Sequence, residues 1–415
     1  METDVRARRR GYAEAAFRTL PDRYLGGEPG FHAVYRIKLA DIGVTWEVTA
    51  DHHGARVQPG CGHRRPDCVI TTDSVTWLRL HRSEITGVQA FTNRQLTARG
   101  NLDLAMGFEG RFRRLDGGQP FARIYDVPVG RLRISTLTMG SGRDVILLHG
   151  LGATKASFVD TAAALSAHYR VHALDLPGFG SSSKPATAPY TPRWFAARVL
   201  DWMDEVGIRR AHLVGNSMGG HISIEIALEE PRRIGAVGLL CPALAFVRRE
   251  LWPMVRLARP EFGVLPHRVH RALVAGQFWD MVADRDRVDP AIGDIAVDEF
   301  RRIYDSAGAR YAFLSAARNI YLTPPFGRHG FYPRLAELSV PALFLWGTHD
   351  PLVPAAFARH VAQWLPRAEQ IILENCGHIP QVERPEQTNG LLRRFFAHAD
   401  ALTDAPSPWA DVDAA

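Results

Sequence analysis

Three polar residues far apart in the chain, Ser217, Asp350 and His378, carry the side chains that acyl transfer needs. A serine hydroxyl attacks a carbonyl well only when a base takes its proton, and an imidazole base needs a carboxylate to fix its tautomer. Ser217 stands in Gly215-Asn216-Ser217-Met218-Gly219-Gly220, between the apolar run Ala211 to Val214 and a helix-like pattern through Met218, Ile222, Ile224 and Ile226. A serine on such a strand-to-helix turn is strained, and glycines two positions either side leave space where a Cβ would clash. Asp350 follows the apolar run Leu343 to Trp346 in Thr348-His349-Asp350-Pro351, and His378 lies in Asn375-Cys376-Gly377-His378-Ile379-Pro380, a loop with no regular pattern. A fourth signal is His149-Gly150-Leu151-Gly152, directly after Val145 to Leu148. As this loop follows directly on that apolar run, its backbone amides are expected to face the same edge as Ser217. Each motif alone is also an ordinary turn; their occurrence together, in the order Ser217, Asp350, His378, is the specific signal.

Those residues need strand ends to hold them. Strands are expected at Leu132 to Met139, Asp144 to His149, Tyr169 to Asp175, Ala211 to Gly215, Ile234 to Cys241, Ala342 to Trp346 and Gln370 to Leu373, with helices such as Lys155 to His168 and Trp194 to Val206 between them. Alternation of this kind builds an α/β fold, a doubly wound, mostly parallel sheet whose ligands bind at the carboxyl ends of the strands. Every candidate residue lies at such an end. His360 and His398 fall on helical patterns and are expected to be surface or packing residues, and His172, His212 and His221, on strand or helix patterns, are expected to pack. Asp175, in Asp175-Leu176-Pro177-Gly178-Phe179-Gly180, is expected to form a turn. Between Pro242 and Leu335 helical segments rich in arginine and aromatics, among them Trp252, Phe278, Tyr304 and Phe313, interrupt the strands. They are expected to form a cap (242–335) over the strand ends, most of the aromatics serving only to hold it together.

The length of 415 residues favours two domains. Residues 1–115 carry 18 Lys and Arg against 13 Asp and Glu, so they hold most of the net charge of +6. The basic residues are nearly all arginine and scattered, with lysine only at 38, 155 and 184, which argues against a nucleic-acid surface. The charged start, Met1 to Arg10, lacks the apolar core of a secretory signal, and the apolar stretch Ile234 to Val247 is too short to span a bilayer. Four cysteines are too few for a disulfide framework and fit a reducing, cytoplasmic setting; Cys61, His63 and Cys68 match no zinc spacing, so neither metal nor cofactor is expected. Oligomeric state is left open, and membrane contact is expected to be peripheral at most.

In the first part, a helix over residues 10–20 with Tyr12, Ala16, Phe17 and Leu20 on one stripe precedes alternating strands at Phe31 to Leu39 and Val44 to Val48. A short strand at Val69 to Thr71, a helix capped by Asp73 or Thr72 and a strand at Gln95 to Ala98 complete an α+β module. The run Gly87 to Phe112, centred on Asn93-Arg94-Gln95-Leu96-Thr97-Ala98-Arg99-Gly100-Asn101, resembles the C-terminal part of sterol carrier protein 2 domains. The resemblance implies an apolar tunnel for a lipid-like ligand and offers no catalytic motif. The domain is expected over residues 1–112, a polar linker over 113–122, the second domain over 123–400, and a disordered tail over 401–415.

Residues 121–400 resemble the α/β hydrolase superfamily, on the motifs of Leu151, Ser217, Asp350 and His378 already quoted. The resemblance implies a catalytic triad of Ser217, Asp350 and His378 with an oxyanion hole at Leu151 and Met218. Gly215 to His221 and Cys376-Gly377-His378 look like hydrolases that cleave carbon–carbon bonds in ring-cleavage dienones. The loop Gly150-Leu151-Gly152-Ala153-Thr154 departs from that subgroup, whose glycine-rich run is longer and contains a proline. Hydrolysis of an ester or thioester of a small hydrophobic, lipid-like substrate is therefore the expected reaction. Carbon–carbon hydrolysis is the alternative, and a non-catalytic lipid carrier the reading from another class.

Overall fold

Period-two alternation in the first hundred residues produces a five-stranded sheet: β1 (His32–Leu39), β2 (Val44–Asp51), β3 (Ala55–Pro59), β4 (Cys68–Thr72) and β5 (Leu96–Gly100). In this computed structural model, which describes residues 2–62, 65–118, 121–247, 255, 259–265 and 269–404, the strand order is β3-β2-β1-β4-β5. β1 and β4 run parallel and the other pairs antiparallel. Ala33, Tyr35, Ile37 and Leu39 all point into the core, as the alternation requires. Phe17, from the helix Glu2–Arg18, stacks on Trp46 and Trp77 with ring centroids 4.9 and 4.3 Å away.

That helix starts eight residues before the expected one, and Tyr12, placed on its apolar stripe by spacing, is exposed. Its first turns project from the core, where Glu, Arg and Ala sustain a helix through propensity without an apolar face. Asp73 caps the helix Ser74–His81 by accepting from the amides of Val75 and Thr76. Cys68 is buried in β4 and Cys61 exposed; His63 lies outside the described residues.

The second sheet has eight strands: β6 (Ala122–Val129), β7 (Leu132–Met139), β8 (Arg143–Leu148), β9 (Tyr169–Leu174), β10 (Ala211–Asn216), β11 (Ile234–Leu240), β12 (Ala342–Gly347) and β13 (Glu369–Leu373). Their order is β13-β12-β11-β10-β8-β9-β7-β6, with β8 to β13 parallel and β6–β7 an antiparallel hairpin that joins at β9. Helices Pro192–Glu205 and Met218–Glu229 cover one face; Val159–Leu165 and Pro385–Asp404 cover the other. Burial on both faces explains why β10 and β11 read as continuous apolar runs. β6, like β3 in the first sheet, is not among the expected strands. It begins at Ala122, inside the expected linker, while residues 113–118 bend back so that Arg113 and Arg23 exchange hydrogen bonds.

Between β11 and β12 come the helices Arg271–Asp280, Pro290–Tyr304 and Ala307–Leu322; Trp252 lies outside the described residues. The last helix runs to Asp404, past the expected start of the tail, because Asp400 is held by Tyr169, His212 and Arg143; residues 405–415 lie outside the description. Among the described residues no helix is long and apolar enough to cross a membrane.

Candidate active site

The chain passes from β10 into the helix Met218–Glu229 through Ser217, whose φ of +52° and ψ of −114° lie where L-residues are strained. Gly215 and Gly219 make that turn possible. A Cβ on Gly215 would lie 2.2 Å from the Gly219 carbonyl oxygen, and one on Gly219 would lie 1.9 Å from that of Leu148. Met218 is the first residue of its helix, so its amide has no acceptor within the helix. The loop after β8 abuts the elbow: a Cβ on Gly150 would approach Asn216 Oδ1 to 3.0 Å and Ser217 Cβ to 3.4 Å. His149 shapes this loop, its Nδ1 bonding the Gly150 carbonyl at 2.8 Å while its Nε2 accepts from the Leu176 amide at 3.0 Å. Burial lowers its pKa, in keeping with a neutral ring that donates at one nitrogen and accepts at the other.

Asp350 closes β12 and His378 follows β13. His378 Nδ1 lies 2.7 Å from Asp350 Oδ2, and both residues are buried. The other carboxylate oxygen, Oδ1, accepts from the amides of Leu352 and Val353, each at 2.8 Å. Asp350 is thus fixed on both oxygens and can hold the imidazole in one orientation. The thiol of Cys241, a residue at φ +43°, lies within 4.8 Å of both side chains. Burial, then the neighbouring Asp350 charge, pushes its pKa well up, so it stays a thiol.

Ser217, His378 and Leu151 line one cavity, and Asp350 joins them through its hydrogen bond to His378. What the sequence reading missed is how His378 is held. Asn216 Nδ2 donates to the backbone carbonyl of His378 and to that of Leu240, each at 3.1 Å, tying the elbow to the histidine loop. The His378 amide donates to the Met281 carbonyl at 2.8 Å. Glu383, fully buried, accepts from the amides of Gly377 and Asp284, both at 2.8 Å. The histidine loop is therefore bolted to residues 281–284, which follow the helix Arg271–Asp280. A buried glutamate five residues past a candidate base was a weak signal; its partner at 284 was invisible without the fold.

His172 bonds Thr138 and Asp144, His212 bonds Asp400, His221 lies against Phe331 and His360 against Tyr332, whereas His398 is exposed on the last helix. Asp175 is also structural, but as more than a turn former. Its carboxylate, fully buried, receives Lys155 Nζ at 2.6 Å and the amides of Lys155 and Ser181. Burial alone would raise its pKa; Lys155 more than offsets that and holds it low.

Ser217, His378 and Leu151 open into a cavity of about 680 Å³ whose wall includes Phe278, Phe300 and Phe313 from the helices above. Trp279, Tyr304, Tyr311 and Tyr321 are not on that wall.

The model of the alpha/beta hydrolase fold family matches residues 145–385, and that of the SCP-2 sterol transfer family matches residues 29–113. The chain is 27% identical over 270 residues to a pimeloyl-[acyl-carrier protein] methyl ester esterase of Aeromonas salmonicida, covering 64% of this chain and 99% of that protein. It is 27% identical to a 2-hydroxy-6-oxononadienedioate/2-hydroxy-6-oxononatrienedioate hydrolase of Pseudomonas putida, covering 67% of this chain and 96% of that one. Among solved structures, a bacterial membrane phospholipase A is similar at a TM-score of 0.55 and 31% identity, over 68% of this chain and 87% of the other. With a nucleophile-type elbow, a buried Asp–His pair and a doubly wound sheet behind them, the chain belongs to the alpha/beta hydrolase family and carries an SCP-2 sterol transfer family domain ahead of its hydrolase domain.

Proposed function

We propose that this serine-type hydrolase cleaves a carboxylic ester or thioester of a hydrophobic, lipid-like substrate through an acyl-enzyme on Ser217. His378 takes the Ser217 proton as Oγ attacks the carbonyl carbon, Asp350 stabilises the imidazolium, and the amides of Leu151 and Met218 hold the oxyanion. Collapse of the tetrahedral intermediate breaks the bond to the leaving alcohol or thiol, which takes the proton from His378. Water, deprotonated by His378, then attacks the acyl-enzyme and releases the acid. The observation that carries this reading is the 2.7 Å contact between His378 Nδ1 and Asp350 Oδ2, with the strained Ser217 facing the same cavity as His378.

A fluorophosphonate probe should label the full-length chain on Ser217 and leave Ser217→Ala unlabelled; labelling that persists in the variant would show another nucleophile. A panel of acyl esters and thioesters should be turned over by the wild type. Similarity to the Pseudomonas hydrolase supports carbon–carbon cleavage as a second reading. Turnover of a ring-cleavage dienone in preference to every ester in the panel would favour it. A bound-lipid carrier with no turnover of either class is the outcome that would remove both.

A further inference from the structure

The cavity that starts at Ser217 does not end in the hydrolase domain. Its wall includes residues of the loop Gly150 to Thr154 and of the helix Pro290–Tyr304, and extends to Leu102, Met106, Leu96, Ala98, Ile70 and Trp77 of the N-terminal module. Two domains joined by a flexible tether would not be expected to share one wall. Here the seam is packed and pinned. Val88 of the N-terminal module lies in the same buried cluster as Phe158 and Val159 of the hydrolase, with Phe91 and Met106 against it. Lys155 Nζ, fully buried, reaches Asp175 at 2.6 Å within its own domain and Asp103 at 2.7 Å across the seam. Burial alone would lower the Lys155 pKa, but the two carboxylates raise it, so the ammonium stays charged and links the modules.

We propose that the N-terminal module is the chain-binding half of the hydrolase's own substrate site. One ligand fills the cavity, its carbonyl at Ser217 and its long acyl chain running across the seam over Ala98 toward Trp77. This rests on Ser217 being the nucleophile. The size of the cavity fits a long chain: about 680 Å³ lies in the upper half of the range for small-molecule sites, far more than a short ester fills. Its wall is mostly apolar, with Leu96, Ala98, Met106, Ile292, Phe300 and Phe313 among its residues, although Asp160, Gln277 and Glu299 also reach it on the hydrolase side and Arg23, His81 and Glu109 on the N-terminal side. The substrate class is therefore a long-chain acyl ester or thioester. Enclosing the acyl chain rather than the leaving group suits a two-step reaction, because the chain must stay while the alcohol or thiol departs and water enters.

The test uses full-length protein and a long-chain alkyl fluorophosphonate carrying a diazirine at the chain end. Ser217 Oγ displaces fluoride from phosphorus, and irradiation then inserts the chain tip into whatever lies beside it. Crosslinked peptides from residues 70–108 support the proposal. Labelling of Ser217 with crosslinks confined to residues 150–382 overturns it while leaving the nucleophile assignment intact; no labelling of Ser217 overturns both. A second measurement narrows the path with Ala98→Trp. The ratio of kcat/KM for dodecanoyl over butanoyl esters should fall at least ten-fold, and a ratio equal to that of wild type would count against the proposal.

Discussion

The two ends of the cavity are built by different rules. At the Ser217 end each group is fixed by hydrogen bonds or close backbone contacts: Asp350 by two backbone amides, His378 by the Met281 carbonyl and the Asn216 side chain, and the elbow by glycines with no room for a methyl group. At the Trp77 end the wall is made of side-chain surface from β4, β5 and short helices, apolar in the main but with Arg23, His81 and Glu109 beside it. The contrast teaches that the chemistry depends on placement within fractions of an ångström, while chain binding depends on volume and on the modules staying together.

The largest effect should separate the ends outright. Ser217→Ala is expected to lower ester turnover by about 10⁴-fold or more, while uptake of a fluorescent fatty acid by the full-length protein is retained. Equal loss of both would erase the distinction. Next in size is the seam. Lys155→Met leaves Asp175 buried without its cation and should destabilise the fold by about 3–5 kcal/mol in a denaturant titration, whereas Asp103→Asn, which leaves Lys155 paired to Asp175, should cost about 1 kcal/mol.

The hydrolase side also carries an acid-sensitive brace. Burial would raise the pKa of Glu225, on the helix behind Ser217, but Arg334 and His221 bring it down to about 2. A depressed carboxylate stabilises the fold above its unfolded value near 4.5, and that stabilisation, on the order of 3 kcal/mol, is lost as pH falls toward 2. Thermal melting of Glu225→Gln should accordingly depend less on pH between 5 and 2 than that of wild type. A smaller change sharpens the catalytic end: Glu383→Gln puts an amide donor opposite the amide of Gly377 or Asp284 and should lower kcat about ten-fold with little change in KM. A shift confined to KM would mean that Glu383 shapes binding instead. Smallest of all is the exposed pair Arg99–Asp294 at 3.9 Å across the seam. Arg99→Ala should change stability by less than about 1 kcal/mol, so a larger loss would mark this contact as a genuine clamp.

How legible the molecule was follows from the range of its interactions. Strand and helix positions in the second domain read well, because β10 and β11 are continuous apolar runs and the helix Pro192–Glu205 begins at Thr191, whose side chain caps it. β3 and β6 were missed: β3 is a short, largely exposed edge, and β6 carries Pro128 and no clean alternation. The end of the last helix was misplaced because Asp400 looks like a tail residue until Tyr169 and His212, some 190 to 230 positions away, are seen to hold it.

The sequence by itself singled out Ser217, Asp350 and His378 as the candidate triad, together with the glycines around the elbow, since each lies in a local turn whose steric demands show in adjacent residues. It also marked an SCP-2-like module through one continuous stretch. Only the tertiary structure decided that this module and the hydrolase share a cavity, that Lys155 joins Asp103 to Asp175, and that Glu383 ties the His378 loop to residue 284. Those features arise where surfaces from distant segments meet, and no periodicity within a single segment records which surface another segment will cover.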